Sequence, residues 1–144
     1  MGLGILRGLL ATLGLSALLI STAIMLAGPS ATSLAFEHLY AVATGWWGPL
    51  TPAWPPTMDS ELRFYAPLFA AFGVVALMVA RNPRGRLGLT PWLAGVFFAG
   101  GLGRALSWSA VGAPHPLFLV LMTIELVTPP VLVALWWTQR DDQV

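Results

Sequence analysis

Arg104 and Glu125 are the residues whose types and spacing point most directly to chemistry. They flank the turn Gly112-Ala113-Pro114-His115-Pro116, one on each side. At roughly 1.5 Å rise per residue, an antiparallel helix pair carries both to the same depth, about 12–14 Å inside the outer helix ends. An unpaired charge at that depth in a bilayer costs at least ~2.5–3.5 kcal/mol, so the spacing predicts an intramembrane ion pair. Pro129 cannot donate to the Glu125 carbonyl. The five N–H groups of Arg104 would then serve both the carboxylate and that freed carbonyl, as a structural lock. The functional alternative uses the same pair as a proton relay, or as an anion or headgroup site.

A second set comprises Glu37, His38, Asp59, Glu61, Arg63 and His115, which a four-helix topology puts on one outer face. Two His and several carboxylates are suitable zinc ligand types, but their spacing matches no metal motif. The expectation is polar helix ends facing water, with no metal and no cofactor. The glycine run Ala99-Gly100-Gly101-Leu102-Gly103-Arg104 opens no helix after a strand and lacks the Lys-Ser/Thr of a phosphate loop. No nucleophile elbow or HExxH sequence occurs, so no catalytic residue is identified; the sequence leans away from an enzyme and leaves the question open.

The elements that would position these residues follow from composition. Of 144 residues, 57% are hydrophobic and 9% charged, where soluble domains carry about 25% charged residues. With mean hydropathy at +0.78, this is the makeup of an integral membrane protein in one domain. No basic tract suggests nucleic acid, and the lack of cysteine excludes disulfides and thiolate chemistry. The expected fold is all-α: a polytopic four-transmembrane-helix bundle with helices over 5–27, 61–80, 90–111 and 117–138. The first apolar run is too long for a signal peptide, so that helix is expected to be retained. Between helices 1 and 2 lies an extended Trp/Pro-rich outer loop, 28–60. Within it, Ser33 to Val42 predicts a short amphipathic helix, and Trp46 to Pro56 a proline-bound segment suited to the membrane interface or to a lid. Asp59-Ser60 reads as the cap of the second spanning helix. Gly95, Ala99 and Gly103 form a small-residue row for helix packing.

Arg7, Arg81, Arg84, Arg86 and Arg140 fall on one side of this topology. The positive-inside rule then places both termini in the cytoplasm, in a bacterial cytoplasmic (inner) membrane. Two stretches, Asp59-Ser60-Glu61-Leu62-Arg63-Phe64-Tyr65-Ala66 and Gly100-Gly101-Leu102-Gly103-Arg104-Ala105-Leu106-Ser107, precede the Gly112–Pro116 turn and Glu125. In that order and spacing the sequence resembles a bacterial family of small four-helix membrane proteins, the domain-of-unknown-function family four-three-four-five. The resemblance implies the four-helix topology and no activity. Two functional readings follow. One is a non-catalytic accessory or scaffold subunit that packs against partner membrane helices or itself among membrane lipids. The other is a binding protein or enzyme for a lipid or other hydrophobic small molecule, with Arg104 and Glu125 in its pocket.

Overall fold

A computed structural model describes residues 2–141 as five α-helices: α1 (Gly2–Ala27), α2 (Pro29–Thr44), α3 (Pro56–Arg81), α4 (Thr90–Val111) and α5 (Pro116–Asp141). A single 3₁₀ turn, Leu87–Leu89, leads into α4. No strand occurs among the described residues. Three helices, α1, α3 and α5, are long and apolar enough to cross a membrane. Their outer surfaces fit that solvent: Leu19 is 63% exposed, Leu26 82% and Phe64 66%. The chain is a membrane protein.

Two expectations need correction. The fold is not a plain four-helix array, because the segment 28–60 contains a complete helix, α2, and the beginning of α3. Moreover, α4 falls outside the set of clearly apolar helices, since it carries Arg104 and four glycines. The second correction concerns the start of α3. Pro56 occupies its first turn and Pro55 caps it, because a proline at N1 loses only an N–H that has no intrahelical acceptor. Asp59 therefore lies within the first turn, its amide bonded to the Pro55 carbonyl at 3.1 Å.

Local chemistry sets the other boundaries. Gly28 has φ +90° and separates α1 from α2, with Pro29 opening the new helix. A side chain at Gly28 would be strained by that φ and would also meet the Arg63 guanidinium at 2.7 Å. Residues 45–55, rich in Trp and Pro, form no helix.

The helices pack as two antiparallel pairs, α1 along α3 and α4 along α5. α1 and α3 come close enough at Gly14 and Gly73 that a Cβ on either would lie 2.8 Å from the other's carbonyl oxygen. Small residues permit such contact between membrane helices, where association depends on close packing. Leu6 and Leu10 of α1, Ala76 and Val79 of α3, Leu93 and Ala94 of α4, and Leu132 of α5 join the pairs in one apolar core. That core sits near the start of α1. Farther along, α3 and α4 touch only lightly, and a seam opens between the pairs.

Candidate functional site

The seam ends at the Arg104–Glu125 pair. Gly101 is the residue that lets α4 and α5 close there: a Cβ on it would meet Leu126 at 2.9 Å and Glu125 Cβ at 3.0 Å. One turn on, Arg104 Nε donates to Glu125 Oε2 at 2.7 Å. The side chains are 38% and 13% exposed, Arg104 and Glu125 respectively. The Arg104 guanidinium also lies over the Phe118 ring, 5.7 Å from its centroid, a favourable cation–π placement. Among the described residues Arg104 bonds the carboxylate but not the carbonyl that Pro129 frees. The expected second half of the lock is thus absent, and an aromatic face takes its place.

Glu125 has a second neighbourhood. It lines a cavity of about 290 Å³ together with Leu68, Phe69 and Phe72 of α3 and Val96, Phe97 and Gly100 of α4. Phe72 stacks on Phe69 and Phe97, with centroids 6.1 and 5.9 Å apart. A Cβ added to Gly100 would meet only Glu125 Oε2, at 3.9 Å, so this glycine keeps the cavity open beside the carboxylate. The result is an apolar, aromatic pocket with one carboxyl group in its wall and the Arg104 guanidinium bonded behind it. Such a pocket suits a molecule with an apolar body and a polar end.

Gly95, Ala99 and Gly103 lie on another face. All three are exposed, and a Cβ on either glycine meets nothing within 4 Å. Within this chain α5 meets α4 at Gly101 instead, beside Glu125 and Leu126. The sequence points to the row Gly95, Ala99 and Gly103 for helix packing and does not single out Gly101. The spacing of small residues alone does not say which face of α4 meets α5.

The six outer residues divide. Glu37 of α2 is fully buried. Its carboxylate accepts from Ser33 Oγ at 2.9 Å and from the Thr51 amide at 2.8 Å. Ser30 Oγ likewise accepts the Trp54 amide at 3.0 Å, so α2 holds residues 45–55 at two points. Burial by itself would raise the Glu37 pKa. The hydrogen bonds from the Thr51 hydroxyl and amide and from the Ser33 hydroxyl outweigh that and hold it below the ordinary carboxylate value. The His115 ring packs edge-on against Trp46, 4.7 Å between centroids, and against Tyr40. Its Nδ1 accepts the Leu117 amide at 3.2 Å, and its buried Nε2 has no partner among the described residues.

Asp59 and Arg63 pair one turn apart at 2.7 Å. Arg63 Nη1 also donates to the Met25 carbonyl at 2.7 Å, tying α3 to the end of α1. His38 is exposed and donates from Nδ1 to the Leu34 carbonyl at 2.9 Å, and Glu61 is exposed. Among the described residues no three His, Asp or Glu side chains converge as ligands for a metal ion. Sequence reasoning missed the role of Glu37 as an anchor. Ser33 four residues before it was the available signal, but Thr51 is joined to it only through the fold.

A family model described as Domain of unknown function (DUF4345) matches residues 5–137. The chain belongs to this family. The match spans α1 to nearly the end of α5, so it takes in the seam, the ion pair and the α2 anchor. No curated protein and no solved structure matches the chain.

Proposed function

We propose that this family member is a four-crossing protein of the bacterial cytoplasmic membrane that binds a lipid or other hydrophobic small molecule in the α3–α4 seam. The molecule's apolar body lies against Phe69, Phe72 and Phe97, and its polar end engages Glu125 and, through it, Arg104. The observation that carries this reading is the cavity of about 290 Å³ with Glu125 in its wall. A purely structural ion pair would have no need of an open aromatic pocket beside it. Among the described residues no set of catalytic groups lines the cavity, so binding rather than turnover is proposed.

Under this reading α4 is the fourth crossing. Trp92 and Trp108 stand near its two ends, sixteen residues and about 24 Å apart, as interfacial aromatics do. Its one internal charge is neutralised by Glu125. Arg7, Arg81 and Arg84 surround a single hollow at one end of the bundle, which supports a cytoplasmic assignment for that end and for both termini. A cysteine at exposed Ala53 should then react with an impermeant thiol reagent from the outside. One at exposed Gly88 should react only after the membrane is opened. The opposite pattern would reverse the orientation.

A second reading is favoured by the exposed row Gly95, Ala99 and Gly103, which fits an accessory subunit packing on a partner helix. Two substitutions separate the readings. Gly100→Leu fills the cavity from a position with no close neighbour but Glu125. It should reduce the lipid or small molecule that co-purifies in gentle detergent by about tenfold, corresponding to roughly 1.4 kcal/mol of lost contact. Gly103→Leu should leave that molecule in place. If only Gly103→Leu changes what co-purifies, and the loss is a protein, the subunit reading replaces the binding one.

A further inference from the structure

The seam cavity offers an acceptor and no donor. Glu125 Oε2 takes the Arg104 Nε–H, while no described residue donates to Oε1. Among the described residues of the wall Glu125 is the one polar side chain; the rest are Leu, Val and Phe, with Gly100. The backbone amides of α3 and α4 at this level are spent inside their own helices. A polar end placed here must bring its own N–H or O–H. An anionic end would set acceptor against acceptor, and leaving buried acceptors unpaired is costly.

Charge narrows the class further. Arg104 and Glu125 together carry no net charge, so a cationic end would leave an excess charge inside the bilayer. The neighbouring rings do not compensate, because Phe72 is near-parallel to both Phe69 and Phe97, at 12° and 17°. Such rings make one flat wall, not the box of faces that holds an ammonium. Depth points the same way: Glu125 lies about 13 Å along α5 from Pro116, below the layer where charged headgroups sit. The cavity, about 290 Å³, is at the small end for a ligand pocket. It holds the polar end and the first part of an apolar body, and the remainder runs out along the seam into the bilayer.

We propose that the molecule bound in the seam is an uncharged lipid alcohol whose hydroxyl donates to Glu125 Oε1. The inference rests on the binding role given to the seam above and adds the chemistry of the ligand's polar end. Arg104, bonded to the other oxygen, fixes the orientation of the carboxylate.

Four probes with the same chain separate the pocket from the polar end: oleyl alcohol, oleyl methyl ether, oleylamine and oleic acid. Each is offered to the full chain in gentle detergent at neutral pH, and bound probe is counted by native mass spectrometry. Oleyl alcohol should be retained about tenfold over the methyl ether, as one hydrogen bond to a charged acceptor predicts, and should also exceed the amine and the acid. Glu125→Gln should bring the alcohol-to-ether ratio close to one while the ether stays bound. Arg104 then takes the Gln oxygen and leaves its NH₂ facing the cavity, which serves an ether as well as a hydroxyl. Gly100→Leu should lower retention of all four probes alike. If Gly100→Leu changes none of them, the seam does not bind, and the binding reading and this inference fall together. If Gly100→Leu lowers them all but the ether, the amine or the acid equals or exceeds the alcohol, the seam binds and the lipid alcohol is overturned. A tenfold preference that survives Glu125→Gln would overturn the contact to Oε1.

Discussion

Glu37→Ala should release residues 45–55 from α2 and cost about 2–4 kcal/mol, the loss of two hydrogen bonds to a buried carboxylate. The amide of Thr51 reports it directly: its hydrogen exchange should quicken toward the rate of an open loop, while amides in the α1–α3 contact stay protected. Glu37→Gln keeps the shape and an acceptor oxygen but loses the charge, so it should fall between the two. The pH dependence has a definite sign. Because the folded-state pKa of Glu37 lies below its ordinary value of 4.5, its contribution is complete above that ordinary value. It is lost as pH falls through the lowered folded value. Thr51 protection should therefore be flat across neutral pH and decline only in acid, and in Glu37→Gln the acid decline should vanish. Equal Thr51 exchange in the unsubstituted protein and in Glu37→Ala would mean that the carboxylate holds nothing.

That anchor illustrates what a linear sequence conceals. Arg104 and Glu125 were legible as partners because one short turn and the helical rise set both depths, and the two side chains do stand 2.7 Å apart. The contact from Glu37 to Thr51 crosses an irregular, proline-bound segment whose path no periodicity encodes. The extent of α2 was only partly legible. Pro29 and Gly45 bracket it, but its buried face is built from Thr32, Ser33 and Glu37, residues that read as polar surface. The start of α3 was misread because an acidic–serine pair is a common cap, whereas here two prolines end the loop and open the helix. The close α1–α3 crossing at Gly14 and Gly73 also had a signal. Ala66, Gly73 and Ala80 recur every seven residues on α3, and Gly14 and Ser21 do so on α1. Small residues are so frequent in this chain that spacing alone did not separate that row from Gly95, Ala99 and Gly103, which α5 leaves uncovered.

The ion pair should show the strongest coupling in the molecule. Breaking one side of a buried pair typically costs ~3–5 kcal/mol because the other charge is stranded. Arg104 is 38% exposed and can turn toward the interface, so its stranding when Glu125 is replaced is partly relieved. Arg104→Gln should thus leave Glu125 stranded in an apolar wall and be the more damaging change. Glu125→Gln leaves Arg104 the Phe118 face and a neutral acceptor, and should cost less. The double variant, Arg104→Gln with Glu125→Gln, should be more stable than the sum of the single losses allows, by about 1–3 kcal/mol, as contacting groups require. Unfolding in mild detergent, followed by loss of helical signal, measures all four proteins. The same four also address the seam. If the carboxylate holds the polar end of a bound molecule, Glu125→Gln should shed that molecule at a stability close to that of the unsubstituted protein. Arg104→Gln would shed it only as the α4–α5 contact loosens. Simple additivity of the two single losses would show that the 2.7 Å contact contributes no coupling, and that a bound polar group, not Arg104, is what balances Glu125.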